Sequence, residues 1–450
     1  MITPILNTIN SNLLPLVGKY LFIILPIALP IMLIYAWWTI RFRWLTMKYV
    51  EEQKSCLLEI RLPKEIVKSP AAMEIFFSHL AESGAGNWGE AFLDGKTRPW
   101  FSCEIVSTGG YVRFFIWCSQ AKFKNKIEAQ LYAQYPNLEI FEAEDYTKDF
   151  YFDPEKYSMT GVQYTLTKAD PYPIKTYIDY GLGENPKEEY KIDPITSLVE
   201  FLGSLKKGEN AWIQILIQKN EKESWKHGSS ALEDLEVDPK KMTWWDKILF
   251  FFFGKSKDLK AEIKNAIKEI KESTLPEAKK GEEKTAVRFP NPTKSQLAII
   301  AALERSRDKT PFDCMIRSIY IPEKDASTPV NIGGLIGGLK QFGSNDLNGF
   351  KPGVKAGVSD FRSDLARILP FVKKMNDNFI TRRKKGLLYS YKLRSYFQHP
   401  YKNYGKSKPF ILTTEELATI FHFPSGMVSQ TPTLQRVGSK KSEAPSNLPI

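Results

Sequence analysis

The pattern of apolar and polar positions divides the chain into segments of different period. Residues 20–40 (YLFIILPIALPIMLIYAWWTI) carry no charge, and a run of about 20 apolar residues is long enough to cross the ~30 Å hydrocarbon core of a bilayer. A transmembrane helix is therefore expected here, kinked at Pro26 and Pro30. Further on, residues 57–62 (LLEIRL) alternate as a strand does and stop at Pro63, and residues 70–82 place Met73, Phe76, Phe77 and Leu80 at helical spacing. Residues 100–119 read as two strands joined at Gly109-Gly110, a dipeptide that supplies positive φ for a tight hairpin. A helix over 122–135 stopping before Pro136, then a strand over 138–143, completes the order β-α-β-β-α-β of a ferredoxin-like unit.

A second, looser copy begins with a strand over 162–167 and continues with a helix over 194–205 and a strand over 211–218. A helix over 295–306 and a strand over 314–321 would complete it, leaving 219–292 as an insertion. The expected fold class is thus α+β: an N-terminal transmembrane helix, two ferredoxin-like units and a helical C-terminal part. The corresponding domains are an anchor with flanks (1–48), a first unit (49–150), a second unit (151–325), a mainly helical basic region (326–436) and a linker-like tail (437–450) rich in Ser, Pro and Lys.

The flanks of the apolar run orient it. Trp37, Trp38 and Trp44 suit an interfacial aromatic belt, and Arg41, Arg43 and Lys48 follow at once, so the positive-inside rule puts the rest of the chain in the cytoplasm of an inner-membrane protein. A cleaved signal peptide fits less well: Lys19 alone precedes the run, and its exit is the bulky Trp37-Trp38 in place of small residues. Within the insertion, residues 243–253 (TWWDKILFFFF) are strongly aromatic but too short to span. Leu259, Ile263, Ile267 and Ile270 then form one apolar stripe on a charged helix. That stripe either packs on its own domain or docks a subunit, while Trp244, Trp245, Phe250 and Phe251 are candidates for a membrane interface.

Composition narrows the chemistry. With 450 residues, 43% of them hydrophobic, the chain has material for two or three packed units. Its formal charge of +12 suits an acidic partner, either nucleic acid or anionic lipid. The four cysteines lack CxxC spacing and the four histidines are scattered, which argues against a zinc cluster and a disulfide scaffold. Across the Gly109-Gly110 hairpin, Cys103 and Cys118 become diagonal neighbours, so they read either as a redox pair or as buried structural thiols.

Several motifs fail on context. The sequence 84–89 (GAGNWG) matches GxGxxG but follows a helix, where a dinucleotide fingerprint joins a strand to a helix N-terminus. Two GKS tripeptides, at 254–256 and 405–407, have Leu249 and Pro400 where a phosphate loop needs its first glycine. The acidic stretch around Asp145 (EAEDYTKD) reads as a solvated strand end before a metal site. No catalytic or cofactor-binding residues are expected, and an enzyme is the weaker reading. The glycine-rich 333–338 fits close packing or a loop. Between 379 and 410 acids are absent, and basic and aromatic residues interleave: Arg382, Arg383, Lys384, Lys385, Tyr391, Lys392, Arg394, Tyr396, Tyr401 and Lys402 are the candidate contacts. That composition fits a single-stranded nucleic-acid surface, where cations meet phosphates and aromatic faces stack on bases. It also fits a solvated helix beside an anionic leaflet, or a partner-protein surface.

Taken together, the apolar run, LLEIRLP, EIVSTGGYVRFFIW, IEAQLYAQYPNLEIFEAEDY and FILTTEELATIFHFP resemble the N-terminal region of membrane-anchored type IV secretion or conjugation coupling ATPases. In that family a P-loop ATPase domain follows a tail like 444–449, and no Walker residues are present here to take its catalytic roles. The resemblance implies an adaptor half, a membrane scaffold that oligomerises within a DNA- or protein-transfer machine and works with a separately encoded P-loop ATPase. The alternative is a membrane-tethered module for single-stranded nucleic acid.

Overall fold

The structure, a computed structural model, describes residues 14–63, 68–81, 90, 93–183, 193–220, 259–274, 292–356, 370–394, 396–397, 409–424 and 436–437. The chain divides into two compact units. One comprises Met1–Glu52 with Gly86–Thr97, the other Gln53–Ala85 with Arg98–Ile450.

The first unit is built on helix α1 (Leu14–Glu52), which runs through Pro26 and Pro30. Among the described residues no helix is long and apolar enough to cross a membrane, which overturns the expected transmembrane helix. Helix α1 continues past Ile40 through Arg41, Arg43 and Lys48 to Glu52, so its C-terminal part is charged.

The second unit is mixed α/β around one sheet. Its elements are β1 (Cys56–Pro63), α2 (Ala71–Leu80), β2 (Trp100–Thr108), β3 (Tyr111–Cys118), α3 (Lys124–Gln134), β4 (Glu139–Glu142), β5 (Thr160–Leu166), α4 (Pro194–Gly203), β6 (Glu209–Lys219), α5 (Leu259–Ser273) and α6 (Lys294–Arg307). They continue with β7 (Pro311–Pro322), α7 (Pro329–Lys340), β8 (Phe350–Ala356), α8 (Pro370–Lys392), β9 (Phe410–Thr413), α9 (Thr414–Ile420) and β10 (Arg436–Val437).

Nine strands pair antiparallel. Eight follow the order β4-β1-β3-β2-β6-β7-β5-β8, β9 pairs with the first residues of β7, and the two-residue β10 lies parallel to the end of β1. Two separate ferredoxin-like units are therefore not what forms. The order β4-β1-β3-β2 in one half recurs as β8-β5-β7-β6 in the other, and the halves fuse because β2 and β6 pair over their whole lengths, from Trp100↔Gln218 to Thr108↔Asn210. Fusion removes two edges that would otherwise leave backbone groups unpaired. The second half is completed by α7 and β8, in place of the expected 295–306 and 314–321. Helix α6 instead belongs to the insertion between β6 and β7. The expected helical C-terminal part is mixed, since β8, β9 and β10 fall within it. Pro352 and Gly353 disguise β8 as a loop, yet proline suits an edge strand, and Lys351 and Lys355 keep that edge charged.

The β2–β3 hairpin closes as its dipeptide predicts, with φ of 59° at Gly109 and 89° at Gly110. A Cβ on Gly110 would stand 2.5 Å from the Leu205 carbonyl oxygen, so both the backbone conformation and the space require glycine. On one face of the sheet Phe101, Cys103, Ile105, Ile213, Ile215 and Ile217 pack beneath α2, α3, α4, α7 and α9 in the main core. A smaller core joins Leu259, Ile263, Ala266 and Ile267 of α5 to Ile300 and Leu303 of α6. The apolar stripe of the charged helix thus packs on its own domain. Residues 243–253, with Trp244, Trp245, Phe250 and Phe251, lie outside the described residues.

Candidate functional site

The opposite face of the sheet is also buried, and polar side chains run across it. Glu104 of β2 stands opposite Gln214 of β6, Gln214 opposite Arg317 of β7, and Arg317 opposite Gln163 of β5. All four are withdrawn from solvent. A charge in such a place is strongly disfavoured unless it is paired and hydrogen-bonded. The partners come from a short segment after β4 and from the end of α8.

Arg394 ends the turn after α8 with a positive φ of 48°, and its N–H donates to the Tyr391 carbonyl. Its guanidinium reaches Glu104 from Nε at 2.8 Å and Nη2 at 3.1 Å, and Asp145 from Nη1 at 2.6 Å and Nη2 at 3.0 Å. Two carboxylates are thereby bridged by one fork of donors, the geometry for which guanidinium is suited. Trp100 Nε1 donates to the Arg394 carbonyl at 2.7 Å, Gln214 Nε2 and the Ser102 hydroxyl donate to Glu104 Oε1, and the Tyr146 hydroxyl donates to Glu104 Oε2 at 2.8 Å. The Tyr146 and Tyr391 hydroxyls meet at 2.8 Å, and Trp212 packs against both rings.

The electrostatics follow from burial. Burial opposes ionisation of Asp145, but the hydrogen bonds and charge of Arg394 outweigh it and hold the carboxyl below its ordinary value. Burial, reinforced by the charge of Glu104, pushes the Tyr146 and Tyr391 phenols well up. Arg317 is lowered to about 10 by burial. One guanidinium, that of Arg394, faces the carboxylates of Glu104 and Asp145, and the rings of Tyr146, Trp212 and Tyr391 pack around it. The arrangement fastens the end of α8 to the sheet.

The ten basic and aromatic candidates of 379–410 separate on this basis. Tyr391, Arg394 and Tyr396 are buried. Arg382 and Lys385 are exposed, and Arg383, Lys384 and Lys392 are half-buried. Arg383 stands over the exposed Phe379 ring at 5.6 Å, and Lys392 over Tyr151 at 4.8 Å. Burial lowers Lys384 and Lys392 from the usual ammonium value. Tyr401 and Lys402 lie outside the described residues. In the first unit Trp37, Trp38, Arg41, Arg43 and Trp44 are all exposed on α1, with Arg41 stacked on Trp37 at 5.8 Å.

A second polar cluster involves the segment 415–424 (EELATIFHFP). Thr413 and Glu416 form a capping box at α9, and Glu416 Oε1 also accepts from the Ile174 backbone N–H at 2.8 Å. Burial pushes the Glu416 carboxyl up to about 7 against these donors. Glu415 pairs with Arg305 at 3.0 Å, and Lys309 bridges to Glu74 at 2.5 Å. His422 Nε2 lies 2.9 Å from Asp193 and Nδ1 2.9 Å from the Ala418 carbonyl oxygen. This segment locks α9 onto α2, α4 and α6. Among the described residues no group of three or more His, Cys, Asp or Glu could hold a metal ion.

Sequence reasoning missed Glu104, Gln214 and Arg317 as a set. Their signal is one charged or amide residue at the same phase of three largely apolar strands, in FSCEIV, IQILI and CMIRSI, which becomes meaningful only once the strands are known to be neighbours.

Fold and cluster together define an α/β protein built on one antiparallel sheet, apolar on one face and crossed by a neutralised polar seam on the other. Residues 47–436 match the family model described as Domain of unknown function (DUF8128), and the chain belongs to that family. No curated protein matches it.

Proposed function

We propose that the protein is a non-enzymatic adaptor of a type IV secretion- or conjugation-like transfer machine at the inner membrane, working with a separately encoded P-loop ATPase. The observation that carries this reading is the state of α1. Leu29, Ile31, Met32, Leu33, Ile34, Trp37, Trp38 and Ile40 are all exposed, so apolar side chains cover the helix on every side. A helix that is hydrophobic all round is stable when other apolar elements enclose it. Helices of further subunits in a membrane-associated assembly supply that enclosure, and the sheet unit remains for the motor.

The test is to purify the full chain in mild detergent after co-expression with candidate P-loop ATPases and to measure the mass of the complex. The expected result is a complex that the triple variant Ile31→Ser, Leu33→Ser, Ile34→Ser dissociates. An unchanged complex in the triple variant, or ATP turnover by the purified chain alone that a single substitution abolishes, overturns the reading. A second reading, contact with single-stranded nucleic acid, is favoured by Arg382, Arg383 and Lys385 lying along α8 with the exposed rings of Phe379 and Tyr389.

A further inference from the structure

Cys56 opens β1, Cys118 closes β3, and the antiparallel register places them directly opposite each other. Their Sγ atoms are 2.7 Å apart in a buried contact. The other two thiols have no such neighbour by register: Cys103 stands opposite Ile116 and Ile215, and Cys314 opposite Ile217 and Phe410. The pairing that the sequence suggested for Cys118, with Cys103, gives way to this one because β1 lies on the far side of β3.

We propose that Cys56 and Cys118 are a redox-responsive dithiol, which a low-molecular-weight disulfide oxidises to a cross-strand bond between β1 and β3. The Cys56 thiolate attacks one sulfur of the oxidant, forming a mixed disulfide and expelling one thiolate. Cys118 then gives up its proton, attacks the Cys56 sulfur and expels the second thiolate. Two protein thiols become one disulfide, and the oxidant leaves as two thiols carrying the two electrons and two protons.

Geometry assigns Cys56 the first attack. It retains 5% exposure against 0% at Cys118, and the two sulfurs share a hydrogen-bonding contact in which either can be the donor. The contact with Cys118 lowers the Cys56 thiol below its ordinary value against the opposing effects of burial and of the Glu142 carboxylate, the latter only offset in part by Lys124. Cys103 and Cys314 are both raised by burial, which leaves them inert. The bond would pin the start of β1, two residues after Lys54, whose carbonyl already accepts the Ala121 N–H at 2.8 Å. Two segments held this closely need little backbone movement to be joined.

The full chain is treated with oxidised glutathione, the excess is removed, the protein is unfolded in guanidinium so that every remaining thiol is blocked with maleimide, and its peptides are mapped by mass. The expected product joins the Cys56 and Cys118 peptides, has lost two hydrogens, is reversed by a phosphine reductant, and carries maleimide on Cys103 and Cys314. In Cys118→Ser the glutathione adduct on Cys56 should persist, whereas Cys56→Ser should leave Cys118 unmodified. Maleimide on both Cys56 and Cys118 in the oxidised wild type overturns the proposal, as does a Cys103–Cys118 link. Mapping of the wild type decides the matter even if neither variant folds.

Discussion

The Arg394 guanidinium lies on Glu104 through two hydrogen bonds, of 2.8 and 3.1 Å, across 290 residues of sequence and with both side chains almost wholly withdrawn from solvent. This contact joins the basic end of α8 to the centre of the sheet, so a residue that sequence patterning offers as a phosphate contact serves as a fastener.

Removing one partner of that contact strands the other. Arg394→Met is expected to cost about 3–5 kcal/mol of stability, because Glu104 stays buried with no compensating charge. Adding Glu104→Gln to Arg394→Met should recover part of the loss, since the uncompensated charge disappears. Urea unfolding midpoints of the two variants measure this, and a double variant no more stable than the single would show that charge compensation is not the cause.

The glycines of α7 divide by face. Cβ atoms on Gly334 and Gly338 would stand 2.3 Å from Phe201 and 2.5 Å from Leu198 of α4, while Gly333 and Gly337 have nothing within 4 Å. Alanine at Gly333 or Gly337 should stabilise the protein by about 0.5–1 kcal/mol through helix propensity and reduced freedom of the unfolded chain. Alanine at Gly334 should destabilise it, because the half-buried Phe201 ring has to shift, and alanine at Gly338 should do so less, because only the end of the Leu198 side chain is in the way. Thermal melts of the four single variants distinguish this from a loop, in which all four would behave alike.

Much of the secondary structure is legible in the sequence because its signals are local. The Gly109-Gly110 turn, the alternation of 57–62 and the stripe of Leu259, Ile263 and Ile267 each depend on residues a few positions apart. The joining of β2 to β6 is set by pairing over more than a hundred residues, and no local pattern encodes it. Glycine pairs and Pro352 hide α7 and β8 for the same reason: close packing against α4, and an edge position beside β5, override their weak propensities. The interleaved tyrosines of 389–396 look like a stacking surface until the sheet is present to bury Tyr391 and Tyr396.

On α8, the exposed Arg382 and Lys385 and the half-buried Arg383 are cations that an acidic partner can reach. If single-stranded nucleic acid binds there, neutralising Arg382, Arg383 and Lys385 together to Gln should weaken oligonucleotide binding and lower the slope of log affinity against log salt by about 0.7 per lost contact. Phe379→Ala and Tyr389→Ala should each cost about 1–3 kcal/mol if bases stack on those rings. Fluorescence anisotropy at several salt concentrations measures both. Binding to anionic vesicles that responds to the three cations and ignores the two rings would assign the surface to lipid headgroups instead.

The buried carboxyl of Glu416 makes a prediction whose sign differs from that of Asp145. Burial raises Glu416 from 4.5 to about 7 in the folded protein, so between those values the native state binds the proton more tightly than the unfolded chain does. Stability from this group is therefore fully present below about pH 4.5 and is lost as pH rises toward 7, an effect of about 3 kcal/mol for a shift of this size. Asp145 is lowered instead, and its contribution is present above the ordinary aspartate value and lost as pH falls below it. Glu416→Gln removes the titrating group at a constant cost, because its amide faces the Thr413 and Ile174 backbone donors that the carboxylate accepts. The stability deficit of Glu416→Gln relative to wild type should accordingly shrink as pH is raised from 4.5 to 7. Urea titrations of both proteins at half-unit pH intervals measure that difference, and a deficit that stays constant or grows across the interval would show that the Thr413 backbone and hydroxyl donors and the Ile174 N–H outweigh burial and keep Glu416 ionised.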